Sequence, residues 1–135
     1  MDTITALMIA PNMHPCLIEL HKNVDFLRLA VNIGIDAHGS MGVLRLSDTA
    51  GILYNEDAPL YDYIGNRRVG KLLIAGVFYV VGIKDGNITS LSKTDAEKYM
   101  ATFWEPEKHS AFEAMNRYVD NLTADIDKFT IPTDA

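Results

Sequence analysis

An α+β domain, a mainly antiparallel sheet with two or three helices packed on it and a long C-terminal helix, is the fold class this sequence predicts. Short apolar and β-branched segments punctuated by turn residues run as far as Leu91, which is the pattern of strands. From Ser92 onward the apolar residues recur three and four apart, which is helical spacing. Asp85-Gly86-Asn87 has the chemistry of a tight hairpin turn, so its flanking segments run antiparallel.

In chain order, Thr3 to Ala10 and Cys16 to His21 read as two strands joined across Pro11 to Pro15, a candidate hairpin. Asn23 is placed to cap a helix whose apolar face is Val24, Phe26, Leu27, Ala30 and Val31, and Gly34 suits its left-handed end. Ala37 to Ser40 reads as a loop, Met41 to Leu46 and Gly51 to Tyr54 as strands turning at Ser47-Asp48-Thr49. Lys71 to Ile83 is an almost unbroken apolar run centred on Val77-Phe78-Tyr79-Val80-Val81. It predicts one strand buried on both faces and is too short to span a membrane. Ile88 to Leu91 pairs back on it. Ser92 and Asp95 resemble a capping arrangement for a second helix with Ala96, Tyr99, Met100 and Phe103 on one face, ending near Trp104. Pro106 suits a first helical turn, and from there Phe112, Met115, Val119, Leu122, Ile126 and Phe129 form a heptad-like stripe. The stripe either docks on the chain's own sheet, forms a homodimer seam, or seizes a partner. The organisation is thus a domain over 1–106 and a helical extension over 107–135.

A chain of 135 residues is long enough for one real hydrophobic core. Twelve basic against 18 acidic residues, a formal net charge of -6, argue against an extended nucleic-acid surface. A single cysteine, Cys16, excludes an intrachain disulfide, and Asp2 stands where a signal peptide carries positive charge, so a cytoplasmic protein is expected.

Before the apolar run lies a polar, aromatic loop with Asn55, Tyr61, Tyr63, Asn66, Arg67 and Arg68, the strongest site candidate. Guanidinium groups fork onto phosphates, tyrosines stack on bases and asparagines read hydrogen-bonding edges, so these residues have the chemistry of a nucleotide pocket. The bland alternative has Asn66 supporting a turn, the arginines solvated or paired with Asp62 and Glu56, and the tyrosines half-buried. His14, Cys16 and His21 are metal-ligand types, but His21 has the wrong strand parity to join the other two, and surface histidines with one buried thiol fit better. Asp36, His38 and Ser40 supply triad residue types in a glycine-bearing loop without any means of orienting them. No catalytic pair, metal site or cofactor motif is predicted.

The order of the opening strand ending in Ala10-Pro11, Leu53 to Asn55, Asn66-Arg67, Ala75-Gly76-Val77-Phe78-Tyr79-Val80-Val81-Gly82, Leu91-Ser92 and Glu97-Lys98-Tyr99 resembles a family of about a hundred residues encoded by bacteriophages, plasmids and other bacterial mobile elements. That family has no established activity. The family often carries a Gly-Gly pair after its first helix, where this chain has Asn32-Ile33-Gly34, and the C-terminal helix is an addition. The resemblance implies a mobile-element setting and, within it, counter-defence: a non-enzymatic protein that binds and inhibits a host immune, restriction or CRISPR protein. The second expectation is a sponge that holds a small nucleotide signal between protomers, with Arg67 and Arg68 on phosphate and Tyr61 or Tyr63 on the base.

Overall fold

The computed structural model describes residues 2–33, 39–61 and 63–123, with backbone alone over 119–123. The described elements are β1 (Thr3–Ile9), β2 (Cys16–His21), α1 (Val24–Ala30), β3 (Met41–Arg45), β4 (Ala50–Asn55), a 3-10 turn (Ala58–Tyr61), β5 (Gly65–Val69), β6 (Leu72–Ala75), β7 (Phe78–Lys84), β8 (Asn87–Thr89), α2 (Lys93–Thr102) and α3 (Ala111–Thr123). Two antiparallel sheets with helices packed on them make the expected α+β fold. The larger sheet runs β2-β1-β7-β4-β3 with β8 beside β7, and β5 pairs with β6 in a separate hairpin.

The pleat sends alternate side chains to opposite faces, which gives the main sheet two cores. Leu7, Ile9, Ile52, Phe78 and Val80 face one way, against Tyr99 and Phe103 at the end of α2 and Leu72 and Ile74 of β6. Ile4, Ala6, Leu53, Tyr79 and Val81 face the other, against Leu27 of α1 with Val31 and Ile33 just beyond it. β7 therefore lies buried on both sides, as its run of apolar residues predicts, and each enclosed aliphatic or phenyl side chain contributes about 1.5–3 kcal/mol.

The run from Lys71 to Ile83 is nevertheless two strands in two sheets. Gly76, at φ +73°, takes a left-handed turn and donates its N–H to Ile64 O at 2.9 Å, so β6 peels away to pair with β5 while β7 enters the main sheet. A residue with a Cβ resists that conformation, which is why the break falls on the glycine. The segment expected to be a loop before this run is partly β5, closed on β6 by a turn at Gly70. Alternation along β6 then makes the hairpin a middle layer: Leu72 and Ile74 enter the main core, while Leu73 and Ala75 turn outward to meet Ala58 and Ala114.

Asn23 caps α1 through Oδ1, which accepts from Asp25 N at 2.8 Å, and Ser92 caps α2 through Oγ, which accepts from Asp95 N at 3.1 Å. Gly34, expected to end α1, lies outside the described residues. The third helix starts at Ala111, later than Pro106 suggests, where Ser110 Oγ accepts from Glu113 N at 3.0 Å. It is described as far as Thr123; Ile126 and Phe129, and with them the remainder of the expected long helix, lie outside the described residues, as do the side chains of Val119 and Leu122.

Candidate functional site

The loop residues singled out for chemistry divide into two groups. Asn66 and Arg67 have no exposed surface. Asn66 Nδ2 donates to Ile9 O and Gly76 O, both at 2.8 Å, and its Oδ1 accepts from Arg67 Nη1 at 2.7 Å. The rest of the guanidinium donates to backbone: Nε to Phe103 O at 3.1 Å, and Nη2 to Phe103 O at 2.9 Å and Met13 O at 2.7 Å. Phe103 is the C-cap of α2, so the cation sits at the negative end of that helix. Burial lowers the Arg67 pKa and the nearby Glu107 opposes the shift. The pair thus fastens the end of β1, the β1–β2 loop, the hairpin and α2 to one another. In this arrangement Arg67 presents no donor to a phosphate, and it is neither solvated nor paired with Glu56.

Asn55 is also buried, at 3% exposure, and shapes its own turn: Oδ1 accepts from Asp57 N at 2.9 Å. Its Nδ2 has no hydrogen-bond partner among the described residues and lies against Gly39, where a Cβ would stand 3.1 Å away. Tyr63 is half-buried against the hairpin's outer side. Of the six, Tyr61, at 46% exposure, and Arg68 are the exposed ones. The six residues therefore do not gather into one pocket.

A different surface does form at this end of the molecule. Ala114 is fully buried and packs on Leu73, Ala75 and Ala58, while Tyr118 reaches inward far enough to donate its hydroxyl to Asp57 Oδ1 at 2.6 Å. That hydrogen bond, with burial and the charge of Asp57, pushes the Tyr118 pKa up to about 12. With Ala114 and Tyr118 turned in, the apolar stripe is turned out: Phe112 is 75% exposed and Met115 is 39% exposed. The stripe's first two members do not dock on the chain's own sheet. α3 packs against the 3-10 turn, where Leu60 and Tyr61 are exposed, and Gly65 abuts His109 just before α3, with Ile64 exposed beside it.

The approach to α3 is held by groups that sequence reasoning passed over. His109 lies between Glu107, 2.8 Å from Nε2 to Oε1, and Glu113, 2.9 Å from Nδ1 to Oε2. Glu107 Oε1 also accepts from Arg68 N at 3.2 Å, tying this segment to β5. The one signal in the sequence is the four-residue interval from His109 to Glu113, a spacing that brings side chains together on a helix.

Elsewhere, His14 stacks on Trp104 with ring centroids 4.1 Å apart and its Nδ1 lies 2.6 Å from Trp104 O, while His21 stacks on Phe26 at 4.6 Å. Among the described residues no three His, Cys, Asp or Glu side chains are grouped to hold a metal. Asp36 and His38 lie outside the described residues; Ser40 O accepts from Glu56 N at 2.8 Å. No described helix is long and apolar enough to cross a membrane. No family model matches the chain, and neither does any curated protein or solved structure.

Proposed function

We propose that this chain is a binding protein of a bacteriophage or mobile element that acts in counter-defence, inhibiting a host immune, restriction or CRISPR protein by direct contact through the outer face of α3 and the adjoining surface at Tyr61 and Arg68. The observation that carries this reading is the orientation of α3, which buries an alanine and leaves Phe112 and Met115 in water. Exposed aromatic and methionine side chains on a helix are the usual anchors of a helix-mediated contact. The mobile-element setting and the kind of partner rest on the family resemblance.

The sponge reading is the weaker one. Its first phosphate ligand, Arg67, is enclosed and donates to carbonyls, and Arg68 with Tyr61 is left to hold a nucleotide without it. A flat thermal-shift response of the folded protein across a panel of cyclic nucleotides counts against it further.

The test is affinity capture from a bacterial lysate with wild type and with a Phe112→Ser, Met115→Ser double variant. Wild type retains a defence protein and inhibits it; the double variant unfolds at the same denaturant midpoint yet loses the partner by tenfold or more, about 1.4 kcal/mol at each tenfold step. Full capture and inhibition by the folded double variant would place the contact elsewhere.

A further inference from the structure

β2 ends the main sheet, and only half of its backbone is used. Lys22 N donates to Asp2 O at 3.1 Å, in the same register that pairs Ile4 with Leu20 and Met8 with Cys16. Hydrogen-bonded pairs alternate along an antiparallel ladder, so Cys16, Ile18 and Leu20 direct N–H and C=O toward β1, whereas Leu17, Glu19 and His21 direct theirs away from it. The complementary pattern on β1 agrees: Thr5 turns its N–H to Ser90 Oγ and its C=O to Leu91 N, both at 2.9 Å, on the side opposite β2. Among the described residues no strand pairs with the outer edge of β2.

The side chain of Leu17 also lines a groove. α2 covers β1 and leaves a space of about 360 Å³ over Thr5 and Leu17, walled by Leu91, Ala96, Glu97 and Met100. Leu17 in its floor is 52% exposed. Glu19, next along that face, accepts the Thr5 hydroxyl at 2.9 Å. The described lining of the groove carries Glu97 and Lys93, one charge of each sign, and Glu19 adds a carboxylate beside it at Thr5.

We propose that β2 and this groove form a strand-addition site for an extended peptide segment that carries an aliphatic side chain and, two residues away, a basic one. The unpaired N–H and C=O groups at every second residue match an extended backbone, whose own donors and acceptors repeat at that interval of about 6.6 Å. A side chain of the added strand beside Leu17 reaches the apolar groove, and its same-face neighbour beside Glu19 meets a carboxylate, where a basic group complements the charge. The site uses β2 and α2 and shares no residue with the α3 surface, so it stands whether or not that surface captures a host protein.

The probe is a fluorescein-labelled, amidated heptapeptide, Thr-Leu-Thr-Arg-Thr-Leu-Thr, followed by fluorescence anisotropy with the whole chain. In antiparallel register its arginine falls opposite Glu19 and its leucines opposite Leu17 and His21, so that the leucine and arginine amides face the edge of β2. Saturable binding is expected, unchanged by Phe112→Ser and weakened when the peptide's arginine becomes glutamate. Methylating the leucine and arginine amides of the peptide, which alters nothing in the protein, removes donors to the edge and weakens binding about fivefold or more. Glu19→Pro removes an outward N–H but no bond to β1, so it leaves the fold intact and weakens binding more than Glu19→Gln does. Absence of saturable binding, or equal affinity for the methylated peptide, overturns the proposal. So does light scattering that finds a wild-type dimer and a Glu19→Pro monomer, since the edge is then covered by a second copy.

Discussion

α2 and α3 follow one another in the chain and carry similar apolar residues at helical spacing, yet they use them in opposite ways. α2 sets Tyr99 and Phe103 into the main core, where Phe103 meets Phe78 edge-on with centroids 5.6 Å apart. α3 sets an alanine inward and its phenylalanine and methionine outward. The difference lies in what each helix meets. α2 covers a sheet face where Tyr99 and Phe103 are buried, while α3 covers a hairpin whose outer side, Leu73 and Ala75, packs with Ala58 directly against Ala114. Periodicity identifies an apolar stripe; the volume of the facing surface decides which way it turns.

That contrast can be broken most forcefully at α2. Phe103→Ala empties the core beneath the helix end and costs about 4 kcal/mol, read as a lower midpoint in urea with little change in slope. Ala114→Leu forces bulk into the tight seat of α3 and costs about 2 kcal/mol, detached α3 showing as new sensitivity to protease near Ser110. A stable Ala114→Leu variant with α3 undisturbed would contradict the account of its orientation. The smallest effect is electrostatic. Because the Tyr118 pKa is raised in the folded chain, from 10.0 to about 12, the neutral hydroxyl is the form the fold favours. Its contribution is complete below pH 10 and lost as pH climbs through 12. Tyr118→Phe therefore loses less stability than wild type across that window, while Tyr54 and Tyr79, raised mainly by burial, add the same alkaline loss to both proteins.

How far sequence carried the fold can be seen in β7 and Arg67. The buried central strand was readable because Phe78 to Val81 has no polar member, and the caps at Asn23 and Ser92 because capping chemistry is local. The break at Gly76 was not, since an uninterrupted apolar run says nothing about which sheet each half joins, and its only sign was a glycine of a kind that also occurs inside strands. β5 escaped because Asn66 and Arg67 are poor strand formers, held in place by partners at residues 9, 13 and 103 that no local pattern reveals. The same blindness explains the nomination of Arg67 as a ligand-binding cation. A guanidinium reads identically in sequence whether its donors meet a phosphate or the chain's own carbonyls, and only the tertiary structure distinguishes the two. The stripe on α3 was found by spacing, its outward aspect was not.

The enclosed guanidinium also sets the grain of motion in this molecule. A charge with its donors on the carbonyls of two separate segments, at Met13 and Phe103, and on the Asn66 side chain cannot let go of one of them cheaply, because the remaining cation would be left in an apolar interior. Opening of the hairpin therefore drags the end of α2 and the β1–β2 loop with it, and the amides of β5, β6 and the last turn of α2 exchange with solvent as one cooperative unit. α3 takes no part in that network: Ala114, the Tyr118 hydroxyl on Asp57 Oδ1 and Arg117 Nη2 on Lys71 O hold it instead, so the surface offered to a partner is fastened apart from the Arg67 bonds.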